Sequence, residues 1–138
     1  MRYLVQNWVD VADRFGEHLQ MTLIALAIAL VIAMPLGVMI TRFRQWEGPV
    51  MALLGLLYTI PSLALLVLLI PWVGLGLDNA VIVLVIYAQV ILVRNIVAGI
   101  NGVEPAIVEA ARGMGMSGWQ RLLRIELPLA LPVILAGV

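Results

Sequence analysis

Hydrophobic positions in this chain come in long unbroken runs, not in the one-sided stripes of a water-facing helix. Residues 19–41 read LQMTLIALAIALVIAMPLGVMIT, 23 positions without a charge. At about 1.5 Å per residue they predict roughly 34 Å of helix, enough for a hydrocarbon core of about 30 Å. Pro35 and Gly37 near the end of the run are tolerated in a membrane helix. Residues 48–77 form a second run of 30 uncharged positions. Pro71, Gly74 and Gly76 punctuate its far end, so the pattern predicts a helix from about Val50 to Ile70 and then a turn, PWVGLGLDN. From Asn79 the run NAVIVLVIYAQVILV predicts a third helix ending near Ala98. Its β-branched residues suit a strand, but strands cross membranes only as closed barrels with alternating faces, and this run does not alternate. A fourth run, LPLALPVILAGV from Leu127, has 12 residues. At roughly 18 Å it is too short to cross. It is expected to be the start of a span in a fragment of a longer chain, the other reading being an unusually short last segment.

The residues thus predict an all-α fold, a polytopic transmembrane helical bundle with about three complete spans and the start of a fourth. Residues 1–18 form a polar tail ahead of a membrane domain at 19–138. Composition agrees: the chain is 64% apolar and 12% charged, against about half and about a quarter in soluble domains. A small soluble domain cannot hide that much apolar surface.

Eight arginines without a lysine balance eight carboxylates, so net charge implies no nucleic-acid partner. There is no cysteine, which excludes disulfides and thiolate metal sites. His18 has no partner at ligand spacing and is expected at an interface or in a loop rather than as a ligand or a base. No catalytic set, metal site or cofactor is predicted.

Arg42 and Arg44 follow the first run. Arg94, Arg112, Arg121 and Arg124 lie between the third and fourth. The turn between the second and third holds Asp78 and no arginine, and in the tail Arg2 and Arg14 are outnumbered by Asp10, Asp13 and Glu17. The positive-inside tendency places residues 42–49 and 99–126 in the cytoplasm and the N-terminus outside. Trp46 and Trp72 fit interfacial belts, and Arg94 is expected to anchor at the headgroups or to pair with Glu104.

The segment at about 99–127 has its own punctuation. Asn101-Gly102 is a turn signal, and Pro105 suits a first helical position. Gly115 suits the position just past a helix end. Ser117 and Gln120 have the spacing of a capping box. The second helix would carry Trp119, Leu122, Leu123 and Leu127 on one stripe, with Arg121 and Arg124 off it, and Pro128 is expected to bend the chain into the next span. Such a helix, corner and helix reads either as an amphipathic loop lying in the lipid interface or as a docking element for a soluble partner.

The same residues carry a resemblance. Glu109-Ala110-Ala111, then Gly115 six residues after the glutamate, then Ile125-x-Leu127-Pro128, resembles the EAA loop of ABC-importer membrane subunits at every fixed position. YTIPSLALLVLLIPWVGLG (58–76) and NIVAGINGVEPAIVEAARGMG (95–115) are similar to permeases for glycine betaine, choline, carnitine and related osmoprotectants. The likeness covers roughly residues 20–138. It implies a MetI-like permease fold in a bacterial cytoplasmic (inner) membrane. The implied partners are a cytoplasmic ATP-binding subunit, a second permease copy or paralogue, and an extracytoplasmic solute-binding protein. The short helix of the loop would sit on the ATP-binding subunit, with Glu109, Ala110, Ala111 and Gly115 as docking residues, and ATPase closure would drive alternating access. Glu109 is expected to meet a basic group there, or else to pair with Arg112 on its own helix. ATP hydrolysis belongs to another chain, because GINGVEPA and GMGMSG both lack the Gly-Lys-Ser/Thr of a P-loop.

Tyr58, Thr59, Ser62, Tyr87 and Gln89 are polar-tipped residues within the apolar runs. They are expected to face the bundle interior, either along a translocation path or in helix packing. The rings of Tyr58 and Tyr87 also suit a quaternary ammonium. Rival readings are a permease for another small solute such as an amino acid, a membrane scaffold or channel, and an integral-membrane enzyme, for which no reactive cluster is found.

Overall fold

A computed structural model describes residues 8–138; Arg2, counted above in the tail, lies outside the described residues. All regular structure among them is helical. Helix α1 spans Trp8–Arg42. It extends further toward the N-terminus than the uncharged run, because Asp10, Asp13, Arg14 and Glu17 are compatible with helix and nothing before Leu19 breaks it. Arg14 and Glu17 even pair one turn apart, at 3.2 Å. The buried residues of α1 are Ala25, Ala29, Ala33, Gly37 and Ile40; the first four form a stripe of small residues that allows a close helix approach.

A short 3-10 turn (Arg44–Trp46) leads into α2 (Glu47–Thr59) and α3 (Ser62–Val73). The straight helix expected from about Val50 to Ile70 does not form: α2 and α3 meet at 92°. The cause is Pro61. It has no N–H for the carbonyl one turn back, and it forces the preceding residue out of the helical region. Ile60 accordingly sits at φ −68°, ψ 127°. Pro71, expected in the turn, lies inside the last turn of α3, and the chain leaves that helix at Gly74, with φ 78°.

Helix α4 spans Leu77–Asn101. It runs parallel to α1: Glu17, in the third turn of α1, lines one cavity with Asp78 at the start of α4, and the ends of both helices line another (Arg42, Asn101). The two are in close contact. A Cβ on Gly37 would stand 2.5 Å from Ile96 Cγ2, so only glycine fits this crossing. Buried Asn79 ties the turn ahead of α4 to α3, its Nδ2 donating to the carbonyls of Leu66 (3.1 Å) and Gly74 (2.9 Å).

After α4 come α5 (Pro105–Gly113), α6 (Gly118–Arg121), a π-helical segment (Leu122–Glu126) and α7 (Leu127–Leu135). From Gly118 onward these segments follow one another without a break, and Pro128 sits in the first turn of α7. The wider π turn just before it breaks the regular i to i−4 pattern where the proline would leave a carbonyl unmatched. α7 packs back on α4, with Gly99 against Ala130. Among the described residues, α1 and α4 are long and apolar enough to cross a membrane, and α2–α3 makes a third crossing if the bent pair is one span.

Candidate coupling site

Helix α5 begins as its sequence directs, with Pro105 in the first turn. It ends in a Schellman motif: Met116 N–H donates to Ala111 O (3.2 Å) and Gly115 N–H to Arg112 O (3.0 Å). Gly115 is at φ 78°, the left-handed conformation this motif requires. Ser117 then caps α6. Its hydroxyl accepts from Gln120 N–H (3.2 Å), and its own N–H donates to Gln120 Oε1 (2.9 Å). The helix, corner and helix expected from the sequence therefore form.

The docking candidates divide between two faces. Glu109 and Ala110 are exposed, whereas Ala111 is 1% exposed and α5 packs on the π segment. Ala110 is thus free for an outside surface, while Ala111 lets α5 approach its own bundle. Ile125 and Leu127 are half-buried and Pro128 is exposed, placing them on the returning helix rather than on the corner. The Glu109–Arg112 and Arg94–Glu104 pairs weighed above do not form. The ion pairs among the described residues are Arg14–Glu17, Arg42–Glu126 and Arg121–Glu126.

The last two join in one network. Arg121 Nε donates to Glu126 Oε1 at 2.8 Å, and Arg42 Nη2 donates to Glu126 Oε2 at 3.1 Å and to the Gly118 carbonyl at 3.2 Å. The Glu126 side chain is only 7% exposed. The sequence reading passed over this residue, which fills the variable x of Ile125-x-Leu127-Pro128. The available signal was a carboxylate that follows Arg121 and Arg124 and opens an otherwise apolar run. Arg121, expected off the buried face, is drawn inward by Glu126.

Of the polar-tipped candidates, Tyr58, Thr59, Ser62 and Tyr87 lie at the break between α2 and α3, and Gln89 lies elsewhere. Tyr87 and Gln89 are two positions apart on α4, and so on opposite sides of it. Tyr87 faces the break between α2 and α3: its hydroxyl donates to the Ile60 carbonyl, and its ring lies 5.5 Å from that of Tyr58. Tyr58 also lines a cavity of about 300 Å³ with Gly55, Ile91, Arg94 and Asn95. Gln89 is buried against α1, where its Nε2 donates to Ala29 O at 3.2 Å. Thr59 bonds back to Leu56 O at 2.7 Å. Ser62 is exposed at the start of α3.

Residues 33–138 match the family described as binding-protein-dependent transport system inner membrane component. The chain is 38% identical over its whole length to the glycine betaine/carnitine/choline transport system permease protein OpuCB of Bacillus subtilis, spanning 64% of that protein. It is 38% identical over its whole length to the osmoprotectant import permease protein OsmW of Salmonella typhimurium, spanning 66% of it. An inward-facing structure of the MetNI methionine ABC transporter superposes with a TM-score of 0.77 at 27% identity, covering 88% of this chain and 63% of that one. The chain thus spans less than two thirds of these relatives. Its fold, its corner motif and these matches together show that the chain belongs to the binding-protein-dependent transport system inner membrane component family.

Proposed function

We propose that this chain is part of the membrane subunit of an ABC importer that moves a small osmoprotectant such as glycine betaine, choline or carnitine. Residues 1–18 and the α3–α4 turn face outward, and the corner at 99–127 faces the cytoplasm, as the arginine placement favours. The observation that carries the reading is the corner itself. Gly115 holds a left-handed turn between two capped helices and leaves Glu109 and Ala110 exposed on the first. A rigid, small-residue protrusion of this kind suits the groove of a cytoplasmic ATP-binding subunit. Closure of two such subunits would move the corner, and the returning helix would carry that motion to the spans. Coupling then arises from contacts that differ between the two states. A second permease subunit completes the path and an extracytoplasmic binding protein delivers solute. ATP hydrolysis resides on the partner.

A second reading, a permease for an amino acid, is favoured by the likeness to the methionine transporter. Both are tested in one assembly, purified with and without Glu109→Arg. The proposal expects an ATP-binding subunit to co-purify with the wild type and to be lost in the variant. It expects vesicle uptake of betaine, choline or carnitine rather than methionine. Unchanged co-purification removes the docking role of Glu109, and methionine uptake alone selects the second reading.

A further inference from the structure

Two concavities meet at Arg42. One, of about 450 Å³, is lined by Arg42, Arg44, Arg112 and Arg121, with Glu109 and Glu126 as its acidic groups. Six charges therefore sum to +2 around one space. Glu126 already satisfies parts of Arg42 and Arg121 from the buried side. Arg44 and Arg112 are exposed and make no ion pair with any described residue. The other concavity, of about 400 Å³, is a groove between α1 and the returning helix, walled by Met34, Val38, Phe43, Trp119, Leu123 and Leu127. Apart from Arg42 its lining is apolar. The stripe Trp119–Leu122–Leu123–Leu127 expected from the sequence lies along it.

A cationic cup joined to an apolar groove has the shape of an amphiphile with an anionic head. We propose that this place is a binding site for an anionic phospholipid, with the headgroup phosphate among Arg42, Arg44 and Arg112 and an acyl chain along the groove. Guanidinium groups recognise phosphate oxygens through paired N–H donors. Arg42 uses only Nη2 in its recorded bonds and keeps Nε and Nη1 to donate. The depth is right as well: Arg42 ends the long apolar helix, and exposed Trp46 follows, where amphipathic rings sit at headgroup level. The lipid would brace α1 against the returning helix and rest on α5. This inference needs α1 to cross a bilayer. It does not depend on transport, on the solute or on an ATP-binding partner.

The test is native mass spectrometry on the protein in mild detergent with its co-purifying subunits. Phosphatidylglycerol and phosphatidylcholine of identical acyl chains are offered in separate arms, and inorganic phosphate in a third. The expected result is retention of phosphatidylglycerol about tenfold or more over phosphatidylcholine. Arg44→Gln with Arg112→Gln, both exposed and so tolerated by the fold, should erase the preference. Leu123→Gln should lower retention of both lipids and leave the preference. Equal retention of the two lipids, or a preference that survives the double substitution, overturns the site. Inorganic phosphate binding without lipid retention overturns the amphiphile in favour of a free anion. Loss of an ATP-binding subunit in the double variant with lipid preference intact assigns the arginines to that partner instead.

Discussion

Arg42 and Glu126 are 84 positions apart in sequence and 3.1 Å apart in space, joining the end of α1 to the π segment. With Arg121 on its other oxygen, the Glu126 carboxylate holds two guanidiniums. Glu126→Gln leaves Arg121, with its side chain 11% exposed, without a counter-charge. Breaking a buried pair from one side is expected to cost about 3 kcal/mol here, the low end of the usual range because Arg42 is partly exposed. Thermal unfolding in detergent reads this. Glu126→Met combined with Arg121→Met should recover most of the loss, since apolar replacement of the whole pair removes the orphaned charge.

The crossing of α1 and α4 offers a double-substitution test. Gly37→Ala places a methyl group against Ile96 and is expected to destabilise by about 1–3 kcal/mol. Ile96→Ala in the same chain removes the Cγ2 that stands nearest the added methyl and should return part of that. Effects that simply add would show that the two positions do not share a contact.

At the corner, Gly115→Ala meets no neighbouring atom, since nothing lies within 4 Å of the added Cβ. Its cost comes from φ alone, about 1 kcal/mol or more. In a complete transporter the expected phenotype is weakened coupling, with solute-stimulated ATPase activity and uptake falling together. Unchanged values for both would remove the corner from the mechanism.

Ser117→Ala removes the hydroxyl that receives Gln120 N–H and is expected to cost about 1 kcal/mol. Ser117→Asp should retain most of the cap. Amide exchange at Gln120 and Arg121, whose N–H groups bond to Ser117, reads the fraying directly.

Tyr87→Phe separates packing from transport. The variant keeps the ring beside Tyr58 and leaves the Ile60 carbonyl without its donor. A loss of about 1 kcal/mol or less in stability is expected. Full retention of uptake identifies Tyr87 as a brace of the helix break; loss of uptake without loss of stability identifies a path residue.

The sequence made the corner legible because its signals are local. A proline that starts a helix, a glycine that ends one and a serine–glutamine box each act within a few residues, and each is found as read. The apolar runs were legible for the same reason, since length and absence of charge suffice to mark α1 and α4. The break at Pro61 was equally local and was missed in a run treated as uniform, with attention on Pro71 further along. The Arg42–Glu126–Arg121 network was not legible, because its members become neighbours only after α1, α4 and the loop have packed. Gln89 and Tyr87 were grouped by polarity, and helical geometry alone would have separated them.

In the proposed importer the uninterrupted helical backbone from Gly118 to Leu135 would act as a crank. Eighteen residues at about 1.5 Å each make a rod of roughly 27 Å, so a tilt of about 5° at its Ser117 end sweeps the far end by roughly 2 Å. Arg42 holds this rod at two places, the Gly118 carbonyl at its start and Glu126 eight residues along. In the proposed importer, a modest tilt of the corner would therefore be magnified along the rod, and most of the movement would appear beside Gly99 and Asn95 rather than at the surface where the push is applied.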